Sequence, residues 1–125
     1  MNYSSNLWKS YTNVEPKVAN DTAKTYLKQY KSWMLVSLRQ DSNHSEAIYQ
    51  CKERLKVVEH VKGDDLASGI ILDCRFIKKY STQRTIEQLA SHDITITVGN
   101  FYHRQRKALL MAYEFIPKSN TKIVK

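Results

Sequence analysis

The chain has 125 residues, about one domain's worth, with 42% hydrophobic and 10% aromatic residues and a formal net charge of +8. Three glycines and two prolines are too few for a loop-rich or turn-rich β fold and favour helices. No apolar run approaches the roughly 18 residues of a membrane span, and the N-terminus lacks a leader's apolar core and cleavage site, so the sequence predicts a soluble, cytoplasmic protein without a membrane partner.

Residues 1–19 are polar, contain Pro16 and show no sustained period. They read as a flexible arm on which Leu7, Trp8 and Tyr11 offer docking side chains. Asn20 or Asp21 supplies a helix cap, because a short side-chain oxygen accepts from the free N–H groups of a first turn. Ala23, Tyr26, Leu27, Tyr30 and Met34 then repeat at helical spacing to about Gln40, with Trp33 and Leu38 widening the face. Asn43 and Glu46 fit a capping box for a second helix with the stripe Ile48, Cys51, Leu55, Val58 and Val61, ended by Gly63. Asp64 caps a third, whose stripe is Leu66, Ala67, Ile70, Ile71, Cys74 and Ile77. Gly69 within it costs about 1 kcal/mol relative to Ala.

Ser81 or Thr82 caps a short fourth helix that buries Ile86, Leu89 and Ala90 and ends near His92 and Asp93. The β-branched run Ile94 to Val98 follows. From Val98 onwards Phe101, Gln105, Ala108, Leu109, Ala112 and Ile116 fall on one helical face. Gly99, His103, Arg106, Lys107 and Leu110 fall on the other, and Val98 lies close to the buried side. Thr97 is the expected N-cap, so the β-branched run is the approach to a fifth helix and not a strand. Pro117 ends it, and residues 117–125 form a basic tail.

Charge divides the chain. Residues 1–74 hold ten basic and nine acidic side chains, whereas residues 75–125 hold ten basic and three acidic. A near-neutral half joined to a basic half suits a packing module followed by a polyanion-binding one. A short helix, a turn and a longer helix with a basic, polar N-terminal face is the pattern of a helix-turn-helix, whose second helix enters the major groove. Asn100 can pair with adenine, and Arg104 or Arg106 can read guanine or hold phosphate. Thr95 and Thr97 hydroxyls and the helix N-terminus favour phosphate. The expected DNA-binding residues are therefore Thr97, Gly99, Asn100, His103, Arg104, Arg106 and Lys107.

The stretch "LDCRFIKKYSTQRTIEQLASHDITITVGNFYHRQRKALLMA" resembles the helix-turn-helix of region four of bacterial sigma factors. Its "FYHRQRKALLMA" segment more closely resembles the ArpU and RinA type phage regulators of late-gene transcription. The resemblance covers roughly residues 70–113. It implies a helical N-terminal half, a sigma-region-four-like C-terminal half and a late-gene activator. This chain departs from the pattern in two ways: His92 and Asp93 stand where the turn usually has glycine, and the link from Leu89 to Phe101 is longer.

Catalysis has no foothold. His44, His60, His92 and His103 make no metal-ligand spacing, and no glycine loop cradles phosphate. Asp64, Asp65 and Asp73 read as a cap and solvated acids. Cys51 and Cys74 fall on apolar stripes, as small buried hydrophobes do. The sequence thus predicts an all-α, five-helix domain with a helical N-terminal half and a C-terminal helix-turn-helix, with no catalytic residue, metal or cofactor. Residues 20–80 form the body and residues 81–116 the DNA-binding region. The expected partner is double-stranded DNA, with RNA polymerase and a second copy of the chain as candidates for the body. The competing expectation is a helical interaction module, a phage adaptor or anti-sigma-like protein, with Tyr26, Tyr30, Trp33 and Met34 as its contact face.

Overall fold

Proline has a fixed φ and no N–H to leave unsatisfied, so it suits the first turn of a helix. In the computed structural model, which describes residues 14–39 and 43–117, the first helix accordingly starts at that residue: α1 is Pro16–Lys28. The expected cap at Asn20 or Asp21 is corrected. Both lie inside α1, where Asp21 pairs with Lys17 at 3.2 Å and Asn20 turns outward to the C-terminal helix. Expectations for residues 1–13, including the docking of Leu7, Trp8 and Tyr11, and for residues 118–125 of the basic tail lie outside the described residues.

The remaining elements are α2 (Tyr30–Ser37), α3 (His44–Asp64), α4 (Leu66–Leu72) running into a π-helical turn (Asp73–Ile77), α5 (Thr82–Ala90) and α6 (Val98–Phe115). Helical hydrogen bonds continue across Gln29 (Gln29 N to Thr25 O, Trp33 N to Gln29 O). With α1 and α2 thus taken as one interrupted rod, the domain is the expected set of five helices. The described residues contain no strand, and none of their helices is long and apolar enough to cross a membrane.

The irregularity at Gln29 explains where the first stripe fails. Ala23, Tyr26 and Leu27 are buried as expected, but beyond the break Trp33 and Val36 turn inward and Met34 is left exposed. On α3 the buried set is Ala47, Gln50, Arg54, Val57, Val58 and Val61, while Ile48 and Leu55 are exposed. Two polar side chains, Gln50 and Arg54, thus share the inward face with Ala47 and three valines. Arg54, fully buried, donates from Nε to the Tyr26 carbonyl at 2.8 Å and from Nη1 to Gln50 Oε1 at 2.7 Å. Its Nη2 reaches Gln29 Oε1 at 3.2 Å, and its guanidinium stacks 4.0 Å from the Tyr26 ring centroid. A buried guanidinium is tolerable only with such partners, and these clamp the irregular point of the first rod to α3. Burial pushes its pKa down.

Two apolar clusters form the main core. One joins α1, α3, the end of α4 and the second half of α6 through Leu27, Val57, Val61, Leu72, Phe76 and Leu109. The other joins α4, α5 and the start of α6 through Ile70, Ile71, Cys74, Leu89, Ile96 and Phe101. A smaller cluster of Trp33, Val36 and Ala47 pins α2 to α3. Helix α4 is buried almost all round, and its N-cap is Asp65, not Asp64, which belongs to α3. Gly63 likewise lies within α3 rather than ending it.

Gly69 marks the tightest crossing in this core. A Cβ placed there would overlap Lys62 Cγ and stand 2.6 Å from Lys62 Cα, so α4 approaches α3 as closely as glycine permits. Gly69→Ala should therefore lower stability by about 1–3 kcal/mol through overpacking. Helix propensity alone predicts a gain of about 1 kcal/mol, so the sign read from urea unfolding tells overpacking from propensity.

Candidate nucleic-acid interface

Ser81 starts α5 as expected, its Oγ accepting from Arg84 N at 3.1 Å. Thr85 and Leu89 face inward, Ile86 is half-buried, and Ala90, expected inside, is exposed. The helix ends in a Schellman turn: Ile94 N bonds Leu89 O at 3.0 Å and Asp93 N bonds Ala90 O at 3.0 Å. Asp93 takes the left-handed conformation, φ 61, at the place where glycine usually stands. Aspartate is among the few residues that visit this region readily, so the turn forms without glycine.

The long link that follows is anchored. Residues 94–97 are non-helical, with Ile96 buried and Ile94 packed on the same cluster, while Thr95 and Thr97 face solvent. Thr97 then caps α6, its Oγ1 accepting from Asn100 N at 3.2 Å. The β-branched run is thus the approach to a helix. Phe101, Gln105, Ala108, Leu109 and Ala112 are buried on one face of α6. Val98, expected near that face, is 60% exposed, because at the first position of the helix it projects past the end of the core.

Of the expected site residues, Thr97, Gly99, Asn100, His103, Arg106 and Lys107 are all exposed along the outer face of α6. Nothing lies within 4 Å of a Cβ built at Gly99, so the helix backbone is open to close approach there. Arg104 is set apart. It is half-buried, its guanidinium is 4.0 Å from Asp65 on the α4 side, and its buried Nε has no hydrogen-bond partner among the described residues. The first turn of α6 contains no acidic residue, and the next acid in the sequence is Glu114. The positive end of the helix dipole therefore meets no carboxylate in that turn, and the exposed cations Arg106 and Lys107 follow two turns later.

Tyr102 is 47% exposed and its Oη lies 2.8 Å from Thr82 Oγ1, joining the start of α5 to α6. Arg84 stacks on the Tyr80 ring at 3.8 Å from the centroid, and Arg75 donates to Gln105 Oε1 and to the Tyr80 carbonyl. Asp73, read as a solvated acid, pairs with Lys78 at 3.1 Å, and Asp65 accepts from Ser68 at 2.5 Å. Cys74 is buried, which raises its thiol pKa; Cys51 is half-buried. No protein-family model, curated protein or solved structure matches the chain.

The register of α6 predicts a sharp contrast in thermal or urea unfolding. Phe101→Ala should cost roughly 3–5 kcal/mol through lost burial and a cavity. Val98→Ala should stay within about 0.5 kcal/mol, as exposed substitutions do. Comparable losses at both positions would refute this orientation of the helix.

Proposed function

We propose that the chain binds duplex DNA through α5 and α6 and regulates transcription, with the N-terminal turns of α6 in the major groove. The observation that carries this reading is the division of α6 into a face buried in two clusters and an outer face carrying Asn100, His103, Arg106 and Lys107. A rigidly seated helix whose residues 98–113 present donors and cations and no carboxylate matches what base edges and phosphates require. The resemblance to sigma region four and to the ArpU and RinA regulators adds the expectation of a phage or prophage late-gene activator. On this reading the protein acts in the cytoplasm as a binding protein without enzymatic activity or cofactor. Its body, residues 20–80, meets RNA polymerase or a second copy of the chain.

One observation favours a second reading. Met34, Leu35 and Leu38 at the end of the first rod and Ile48 and Tyr49 on α3 are exposed, an apolar surface suited to a protein partner. It differs from the expected contact face, since Tyr26 and Trp33 are buried. A helical adaptor or anti-sigma-like protein would use that surface and give no gel shift with random duplex at low salt.

Under the DNA-binding reading, Arg106→Ala and Lys107→Ala should each weaken all duplexes similarly and reduce the slope of log K against log salt by about one unit. Unchanged slopes in both variants would remove them from the interface.

Asn100→Ala should cost about 1–3 kcal/mol on the preferred site and relax discrimination at one base pair, since an amide can both donate to and accept from adenine. Affinity for random duplex should hardly change. Selection from a random-duplex library on both proteins is the measurement, and identical enriched motifs would end the readout role.

A further inference from the structure

The turn that closes the π-helical segment delivers two consecutive lysines into opposite electrostatic settings. Lys78 is compensated by Asp73, whose hydrogen bond holds its pKa above the usual lysine range. Lys79 has no ion pair among the described residues. Its backbone sits at φ 62, in the left-handed region that side chains other than Asn and Asp disfavour. Burial and the charges of Lys28 and Lys31 push its pKa down. An uncompensated cation is thus held at the helix-closing position, where Tyr80 N bonds back to Cys74 O at 2.7 Å and glycine would fit at lower cost.

Lys79 lines a groove of about 380 Å³ between α1, the π turn and α6. Lys24 and Lys28 come from α1, Arg75 and Tyr80 from the turn and the residues after it, and Tyr102 from α6. No carboxylate is among the lining residues, and among the described residues neither Lys24 nor Lys28 forms an ion pair. The groove contains no glycine, so it lacks the loop of backbone N–H groups that wraps a single phosphate. Dispersed lysines and tyrosine hydroxyls are instead what a nucleic-acid strand meets along its backbone.

The groove is continuous with the outer face of α6. Tyr102 forms its wall and bonds Thr82 at the start of α5. One turn further along α6, Arg106 is exposed, and its carbonyl accepts from Asn20 Nδ2 of α1 at 3.1 Å. We infer that this groove holds backbone phosphates of the same duplex that α6 reads, so that the DNA contact runs from α6 past Tyr102 onto Lys28 and Lys79. The inference rests on the DNA-binding reading above, and it extends that contact beyond the helix-turn-helix onto α1, an element otherwise assigned to the body.

The test compares Lys79→Gly, Lys28→Gln and the double variant with the parent in full-length form. Each is titrated with one short random-sequence duplex over a range of salt. Lys79→Gly suits the backbone at φ 62, so its melting temperature should equal or exceed the parent's while its salt slope falls by about one unit. Lys28→Gln should lose a similar amount, and the double variant about two units. Unchanged slopes in all three, with Arg106→Ala still reducing its own, would overturn the groove contact and leave DNA binding by α6 standing. A parent that binds no duplex even at low salt would overturn both. Titration with inorganic phosphate and pyrophosphate separates a small-anion site. Saturable binding of either, abolished by Lys79→Gly while the duplex slopes stay unchanged, would also overturn the proposal.

Discussion

Burial of one face of α6 in two clusters at once is the constraint on which the rest of the structure depends. Phe101 sits in the cluster shared with α4 and α5, and Leu109 in the cluster shared with α1, α3 and the end of α4. The two anchors are eight residues apart, about 12 Å along the axis. A helix held at both points can neither roll nor slide without opening both clusters. The outer face therefore stands at a fixed angle to the body, which is the preorganisation that a rigid recognition element needs.

The same constraint organises the connection into α6. A free link between Leu89 and Phe101 would leave the angle between α5 and α6 undefined. Here Ile94 and Ile96 pack on the cluster that holds Phe101 and Leu89, and the Schellman turn at Asp93 fixes the direction in which the chain leaves α5. The extra length is thus absorbed by a short non-helical segment with one apolar side. It yields a longer connection than a tight helix-turn-helix without yielding a loose one.

Charge follows packing in a less obvious way. Cations of the near-neutral half, Lys24 and Lys28, come to lie beside Arg75 and Lys79 of the basic half because α1 packs along α6 and the π turn. At the other extreme Arg54 is withdrawn from the surface altogether, and its hydrogen bonds join the first rod to α3. The positive charge of the molecule is therefore not partitioned at residue 75, as its linear distribution suggests. It is redistributed by helix packing into an interior clamp, a continuous basic surface and an outer helix face.

The sequence by itself determined the all-α class, the Ser81 and Thr97 caps and the buried face of α6. Each is a local matter: side-chain oxygens reach only nearby N–H groups, and helical periodicity places residues on a face wherever the helix is packed. It could not supply the interruption at Gln29 or the inward turn of Gln50 and Arg54. Those depend on which neighbour a helix meets, and an arginine reads as a surface residue until carbonyl partners from another helix are in place. Gly69 looked like a weakness in its helix and proved to be the point of closest approach to Lys62. Arg104, indistinguishable in sequence from Arg106, is drawn toward Asp65 because it projects from the side of α6 next to α4. Tertiary packing alone decided these, since contacts between distant segments set both which polar groups are compensated and which remain open to a partner.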